Sequence, residues 1–273
     1  MTWISLVGIT LAVFALIATL AVRSGFRAEF VDTILGSNAH LTVYSTTRTD
    51  EAGNPDRTIA DYEGMAQQVE RVPFIQRVAP LVKGQVMATA NGNNAGVEVF
   101  GIAPDDLKAI PRIADPETGR GDLDRFEEGV AIGSGVAMML GVGDDVKLIS
   151  PNGVKTAFGV SPRVKSYKVT WIFTAGRYDI DRTRIYMPFA EAQLYFNREG
   201  VADELEVIVS DPEEVESFIQ PVSEAVGPGA LIWTWQDASG GFLRALEIED
   251  NVMFVILSVL VLIATMNIVS GLI

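Results

Sequence analysis

Few side chains in this chain have the types and spacing that catalysis or metal binding needs. The sequence contains one histidine, His40, and no cysteine. A Ser-His-Asp triad would have to use His40, and a zinc site would lack the second histidine or the cysteines that tetrahedral coordination needs. His40 falls in an alternating segment typical of a strand, so we interpret it as a structural residue. We expect neither a metal site nor a cofactor.

An Asp-x-Asp-x-Thr string at residues 179–183 resembles the nucleophile motif of haloacid-dehalogenase phosphatases, in which an Asp carboxylate attacks phosphate. It stands between a turn and a predicted strand, and no acidic Mg²⁺-binding motif follows it. The Gly-Ser-Gly string at 133–135 lacks the spacing of a nucleophile elbow, and the Gly-rich residues 141–145 lack the lysine of a phosphate loop. We therefore predict that the chain is not an enzyme. A membrane phosphatase is the last alternative, and an inactive Asp179→Asn variant would revive it.

The charges are confined to the middle of the chain. All 56 charged residues, 21 basic and 35 acidic, lie between Arg23 and Asp250. The 19 uncharged residues 4–22 would span roughly 28 Å as a helix, close to the hydrocarbon thickness of a bilayer. A charge at mid-bilayer costs about 2.5 to 3.5 kcal/mol, so charge-free runs favour membrane spans. We predict transmembrane helices at residues 1–26 and 251–273, the first too long for a cleaved signal peptide.

Residues 27–250 are predicted to form a water-soluble domain, and residues 23–250 carry the whole net charge of −14. An acidic domain of this kind offers no basic stripe to a nucleic acid. The absence of cysteine is compatible with an oxidising and with a reducing compartment. The positive-inside rule has little authority over the location of a segment this long. Composition alone therefore does not indicate on which side of the membrane this domain lies.

Alternating and helical patterns in this domain predict an α+β fold. Residues 39–102 read as strand, helix and a strand hairpin, with the helix starting at a capping box on Thr58. The strand-helix-strand order returns at 203–236, with a helix start at Asp211. We expect these two segments to form one subdomain and residues 103–201 to form an inserted mixed subdomain.

Three further segments are predicted to form a turn, a helical connection to the second span and a loop that protrudes from the domain. An Asn-Gly step at 91–92 favours a tight hairpin turn. Residues 235–250 favour one continuous helix leading into the second span. Residues 151–166 are interrupted by Gly and Pro and predict a protruding loop. On physical grounds this loop is equally a mobile excursion or a docking arm with apolar tips, Phe158 and Val160, and nearby cations.

Short motifs along the whole chain resemble those of the lipoprotein-releasing permeases of the Lol system, the LolC/LolE family, in Gram-negative bacteria. They include Gly8-Ile9-Thr10-Leu11-Ala12-Val13, Ser24-Gly25-Phe26-Arg27, Val99-Phe100-Gly101-Ile102, Leu140-Gly141-Val142-Gly143-Asp144, Phe158-Gly159 with Pro162-Arg163, Tyr186-Met187-Pro188 and Ala190-Glu191-Ala192-Gln193. The resemblance implies a periplasmic domain of the MacB-like type between two spans in the inner membrane.

The resemblance also implies that the chain is the permease subunit of an ABC transporter. It would pair with a second permease, identical or paralogous, and with two cytoplasmic ATPase subunits that hydrolyse ATP. The transporter would extract lipoproteins from the outer leaflet and pass them to a LolA-like periplasmic carrier. The docking-arm interpretation is then favoured, with the carrier contacted by Phe158, Gly159, Val160, Pro162, Arg163 and Lys165. The residues implied to line the lipoprotein entrance are Val22, Phe26, Phe30, Met253 and Leu257.

Two departures accompany this resemblance, and two alternatives remain. Arg23 stands where relatives commonly carry Met, and the family continues past Ile273 through two more spans, so a fragment is implied. The first alternative is a MacB- or FtsX-like permease that transmits force without lipoprotein cargo, favoured by an arm that binds no carrier. The second is a two-span sensory receptor, favoured by a signalling domain after the second span.

Overall fold

A computed structural model describes residues 2–36, 38–46, 48–49, 55–115, 117–156 and 159–272. The helices are α1 Thr2–Leu35, α2 Tyr62–Glu70, α3 Pro104–Lys108, α4 Pro111–Ala114, α5 Ser134–Leu140, α6 Tyr178–Thr183, α7 Phe189–Phe196, α8 Val215–Val226, α9 Trp235–Ala238 and α10 Gly240–Leu272, with a 3₁₀ helix at Leu123–Glu128. The strands are β1 Leu41–Ser45, β2 Arg48–Thr49, β3 Pro55–Asp56, β4 Ile75–Ala90, β5 Asn93–Ile102, β6 Arg120–Gly121, β7 Val130–Gly133, β8 Asp145–Thr156, β9 Gly159–Phe173, β10 Arg184–Pro188, β11 Glu204–Val209 and β12 Ala230–Thr234. The chain divides into two units, one holding α1 and α10 and the other comprising Leu35–Trp235.

The two terminal helices are longer than the spans expected from hydropathy. α1 has 34 residues and α10 has 33, so the expected boundaries at 26 and 251 fall inside them. The predicted continuous helix over 235–250 is wrong at its start, because a turn at Ser239 separates α9 from α10. The Gly-Gly pair that follows makes helix formation costly at this point.

Across the portions that the structure describes, no helix is both long and apolar enough to be identified as a membrane span.

Ten of the described strands form one mixed sheet, and the predicted α+β class is confirmed. The order is β12-β1-β11-β4-β5-β10-β7-β9-β6, with β8 paired to both β4 and β9. The 16-residue strand β4 links the two halves of the sheet. Its first part pairs with β11 and its second part with β5, both antiparallel.

One face of the β12-β1-β11-β4 half is covered by α2 and α8. The strands supply Leu41, Val43 and Val207 to this core, and α8 supplies Val215 and Val222, all fully buried. Strands from the two segments predicted to pair, β1 and β4 from the first and β11 and β12 from the second, lie side by side. Strand β5 of the first segment pairs instead with β10 of the predicted insert. Burying such side chains stabilises the domain by about 1.5 to 3 kcal/mol each relative to exposure.

Both predicted helix starts in this half are wrong. Asp61, not Thr58, is the N-cap of α2, and its carboxylate accepts the N–H of Gly64 at 3.1 Å. Asp211 does not cap α8, because its carboxylate accepts the N–H of Glu213 in a local turn at 3.1 Å. Asp favours such turns as readily as helix caps, and here the turn delays the helix to residue 215.

The other half of the sheet is buried on both faces. One core lies under α5 and α7 and includes Val99, Ile132 and Leu148. The other lies under α3, α4, α6 and the 3₁₀ helix and includes Phe126 and Phe173. The predicted Asn-Gly turn between β4 and β5 is confirmed, with φ of 51° and 82° at its two residues, as a type I′ hairpin requires.

Candidate docking surface

Within residues 151–166, predicted to be a loop, the described residues 151–156 and 159–166 form strands instead. They are the outer part of the β8–β9 hairpin, which we call the arm. Among the described residues, β8 pairs with β4 only through residues 147–149, and β9 pairs with β7 only from Val169 onward. Beyond these points the arm is a two-stranded ribbon.

The loop prediction failed because the Gly and Pro residues cluster at a β-bulge. The register between β8 and β9 shifts between Ser150 and Val154, and Pro162 of β9 lies opposite this shift. Bulges tolerate Pro, which cannot donate to the ladder. An added Cβ on Gly153 would lie 1.7 Å from the carbonyl oxygen of Ser161, so only glycine fits there.

The guanidinium of Arg163 binds the C-terminal end of α7. Its Nη1 donates to the carbonyl oxygens of Leu194 and Tyr195, the latter at 2.7 Å, and its Nη2 donates to Oδ1 of Asn197 at 2.7 Å. The last carbonyls of a helix lack partners inside the helix and attract cations. α7 ends at Asn197, which adopts the left-handed conformation with φ 55°.

Two further residues of β9 bind the first turn of α7. Oε1 of Glu191 accepts from Nζ of Lys165 and from the hydroxyl of Tyr167, both at 2.7 Å. Burial, reinforced by Glu191, raises the pKa of the Tyr167 hydroxyl, so it remains a donor. Because Arg163, Lys165 and Tyr167 alternate along β9, they share one face. Both cations expected to meet a partner thus also fasten the arm to α7, although the Lys165 side chain stays 52 % exposed.

α7 is in turn seated on two glycines of the β4–β5 pair. An added Cβ on Gly84 would lie 2.1 Å from the ring of Phe196, and one on Gly101 would lie 2.2 Å from Cβ of Ala192. Such distances are far inside van der Waals contact, so α7 presses directly on the strands. Contact thus runs from the arm through α7 to the central strands.

A groove of about 700 Å³ lies between the root of the arm and the β4–β5 hairpin. Its lining is mostly apolar, and Met87 within it is 49 % exposed. An apolar floor with a polar rim is the usual anatomy of a protein interface. The residues that line it are Gln85, Val86, Met87, Gly96, Val97, Glu98, Ile149, Pro151, Pro162 and Thr183.

The arm's tip is described only in part. Phe158 lies outside the described residues, and Gly159 and Val160 are described as backbone of β9 without their side chains. Pro162 is exposed and lines the groove.

The residues expected at a lipoprotein entrance fall on the terminal helices. Val22 and Phe26 are 73 % and 57 % exposed and, four residues apart, share one face of α1. Met253 and Leu257 are half-buried and share one face of α10. Phe30 belongs to α1, but its side chain lies outside the described residues.

His40 has a structural position, as its sequence context predicted. Its Nδ1 accepts the N–H of Val209 at 3.1 Å, which ties the start of β1 to the end of β11. Burial lowers the pKa of this imidazole, so the ring is kept neutral.

The Asp-x-Asp-x-Thr string lies within α6, and its two carboxylates make local contacts. Asp181 accepts the N–H of Ala175 at 2.7 Å, and Asp179 pairs with Arg177 at 2.6 Å. Both carboxylates brace the preceding turn. Within the described residues, no group of three or more acidic or histidine side chains is arranged to hold a metal ion.

Sequence reasoning missed the α7 contacts. Asn197 carried a readable signal, because Asn directly after an apolar helical run is a common C-terminal cap. The pairing of Glu191 with Tyr167 joins residues 24 apart in sequence, and no periodicity predicts it.

The sequence model of the MacB-like periplasmic core domain matches residues 2–225. The chain belongs to this family. The expected similarity to Lol proteins is confirmed as well. The MacB-like chain is 28 % identical over 100 % of its length to the lipoprotein-releasing system transmembrane protein LolC of Neisseria meningitidis, covering 65 % of that protein. It is 25 % identical to LolC of Xylella fastidiosa, over 98 % of this chain and 63 % of that protein. It is also 24 % identical to LolE of Haemophilus influenzae, over 98 % of this chain and 64 % of that protein.

Comparison with solved structures also finds matches to part of this chain. The periplasmic region of MacB from Actinobacillus actinomycetemcomitans matches with a TM-score of 0.46 and 10 % identity, over 77 % of this chain and 95 % of that one. The extracellular domain of the noncanonic ABC-type transporter YknZ from Gram-positive bacteria matches with a TM-score of 0.45 and 12 % identity, over 71 % of this chain and 100 % of that one.

Proposed function

We propose that this chain is part of an ABC transporter permease that extracts lipoproteins from the outer leaflet of the inner membrane and passes them to a periplasmic carrier. The observation that carries the proposal is the end-to-end similarity to proteins named for lipoprotein release in three organisms. Because the chain spans 63 to 65 % of those relatives, the activity, cargo and partners all belong to the proposal.

The arm is the proposed docking element for the carrier. As a ribbon paired only with itself over its described outer part, it presents backbone and side chains that the sheet does not use. The groove beside its root, with Pro162 in the wall, adds an apolar surface. In this proposal the tip residues Phe158 to Val160 and the flanking Pro162 contact the carrier, while Arg163 and Lys165 hold the root and meet the carrier at its edge.

The terminal helices are proposed to cross the membrane and to admit the acyl chains. Their charge-free stretches are long enough for a bilayer. Moving an acyl chain from lipid to water costs about 0.8 kcal/mol per exposed CH₂, so an apolar entrance must replace the bilayer. Val22, Phe26 and Phe30 on α1, with Met253 and Leu257 on α10, are proposed to line this entrance.

The proposed partners supply what this chain does not. A second permease, identical or paralogous, would complete the entrance, and a cytoplasmic ATPase dimer would hydrolyse ATP. The permease would undergo the resulting conformational change rather than catalyse a reaction. The Leu35–Trp235 unit would lie in the periplasm, where the carrier is found.

Site-specific photocrosslinking tests this function. A photoreactive amino acid is placed at Val160 or Ser161 of the arm, in cells that produce the carrier, and at Glu63 of α2 as an exposed control. We expect a carrier adduct from the arm positions and none from Glu63. An arm that yields no adduct at either position would favour the force-transmitting permease without lipoprotein cargo.

A further inference from the structure

We propose that Arg163 is a positioning residue: by binding the C-terminal end of α7, it fixes the direction in which the arm leaves the sheet. The use of this direction for docking rests on the function proposed above. The fixing itself depends only on contacts within the chain.

The place of Arg163 along the ribbon supports this role. It pairs with Ser150, and the register shift begins directly after this pair. A bulge bends a strand pair and increases its local twist, so it is the natural pivot of the arm. Arg163 lies between this pivot and the sheet. A fixed contact at this place determines the direction of the part of the ribbon beyond the bulge.

The chemistry of the contact suits the same role. The guanidinium is a planar fork whose two nitrogens donate to three acceptors, two carbonyl oxygens of α7 and Oδ1 of Asn197. A planar multidentate contact restricts rotation, whereas a single hydrogen bond does not. The acceptors are themselves immobile because α7 presses on Gly84 and Gly101.

Glu191 completes the fixation on the same face. It holds Lys165 and Tyr167, two and four residues further into β9, at the opposite end of α7. The contacts of Arg163 and of Glu191 hold β9 at two points along its length. While both contacts persist, they restrict rotation of β9 relative to α7. Replacement of the Arg163 side chain leaves the Glu191 contacts and the 3.5 Å hydrogen bond from the Tyr195 hydroxyl to the main-chain carbonyl of residue 163. It removes the planar fork that orients the ribbon, so the ribbon can swing about the bulge.

The experiment measures arm direction and carrier binding separately. The sequence contains no cysteine, so Ser161→Cys and Asn94→Cys give two unique spin-label positions, on the arm and on β5. Label-to-label distances are measured by pulsed electron paramagnetic resonance on the full chain in lipid nanodiscs. The unlabelled protein is used in parallel to measure affinity for the purified periplasmic carrier.

Arg163→Gln is the test variant and Arg198→Gln the matched control. Arg198 lies near the same end of α7 and carries the same charge, but its guanidinium pairs with Asp203 at 3.3 Å. We expect the distance distribution to become at least about twofold wider in Arg163→Gln, with about tenfold weaker carrier binding, because a flexible arm must be ordered on docking. Arg163→Lys keeps the charge without the planar fork, so its distance distribution and carrier affinity should lie between those of the parent and Arg163→Gln. Arg198→Gln should match the parent in both measurements.

An unchanged distance distribution in Arg163→Gln would overturn the proposal. A widened distribution with undiminished carrier affinity would support the fixing of the arm by Arg163 and overturn the use of its direction for docking. If the parent protein binds no carrier at all, the docking function fails, and the distance distributions alone still decide whether Arg163 positions the arm.

Discussion

At the scale of single residues, the polar side chains that looked most reactive serve to join elements. His40 connects β1 to β11, Asp181 braces a turn, and Arg163 closes the end of α7. Each of them is hydrogen-bonded to backbone groups of another segment. For the buried N–H of Val209, the loss of its partner His40 would cost about 1 to 3 kcal/mol.

The neutral state of His40 makes stability depend on pH. Burial lowers its pKa in the folded protein from the ordinary value of 6.5, so the unfolded chain binds more protons as the pH falls. The contribution of His40 is therefore fully present above about pH 6.5 and is lost as the pH falls toward the lowered value, by at most about 1.4 kcal/mol per pH unit.

Comparison with His40→Asn isolates this effect, because the Asn side-chain oxygen can also accept the N–H of Val209 without titrating. Thermal melts of both proteins from pH 8 to pH 5 should show the parent losing stability faster below pH 6.5. Parallel melting curves across this range would mean that His40 titrates normally in the folded state.

At the scale of elements, α7 is the piece on which the arm and the central strands converge. It packs on the β4–β5 pair through Gly84 and Gly101, and it binds β9 at both of its ends. The two motifs of the Lol resemblance around Gly101 and Ala192 are thus in direct contact.

Gly101→Ala should destabilise the domain by roughly 1 to 3 kcal/mol, because the new methyl group overlaps Ala192 and must displace α7. Gly96→Ala on the same strand is the control, since an added Cβ there meets nothing within 4 Å. Urea denaturation measures both. Equal stability of the two variants would show that α7 is not seated on Gly101.

At the scale of the whole molecule, the hydrophobic core belongs to one unit. Among the residues whose side chains are described, every buried apolar one lies between Leu41 and Trp235. The unit Leu35–Trp235 also contains the whole mixed sheet. It has about 200 residues, which is the size of an independently folding domain.

A protein comprising residues 36–235 should therefore be soluble and should unfold cooperatively. Size-exclusion chromatography and a circular-dichroism melt check this, with the full chain in detergent as the reference. A melting temperature within a few degrees of the reference is expected. Aggregation or a broad, non-cooperative melt would show that the terminal helices are needed for the domain to fold.

Sequence patterns predicted the elements whose signals are local. Strong alternation located β1 and β11, and the Asn-Gly step located the type I′ turn. Helix starts failed where Asp can serve either a cap or a turn, as at Asp211.

The arm was misassigned because Gly and Pro signal a loop unless the partner strand is known. Only the register opposite Gly153 and Pro162 identifies a bulge, and register is a property of two segments. For the same reason the bonds of Arg163 and Lys165 to α7 could not be read from the sequence.

The two-stranded form of the arm has an evolutionary consequence. Because side chains alternate with a period of two, an insertion of two residues in each strand lengthens the ribbon by roughly 7 Å and leaves every outward residue outward. An insertion of a single residue in one strand would instead turn the outward side chains beyond it to the opposite face of the ribbon. Described pairing beyond the bulge is confined to the hairpin itself, so such paired changes need no adjustment in the sheet. The reach of this appendage can thus diverge among homologues by even steps while the scaffold that carries it stays the same.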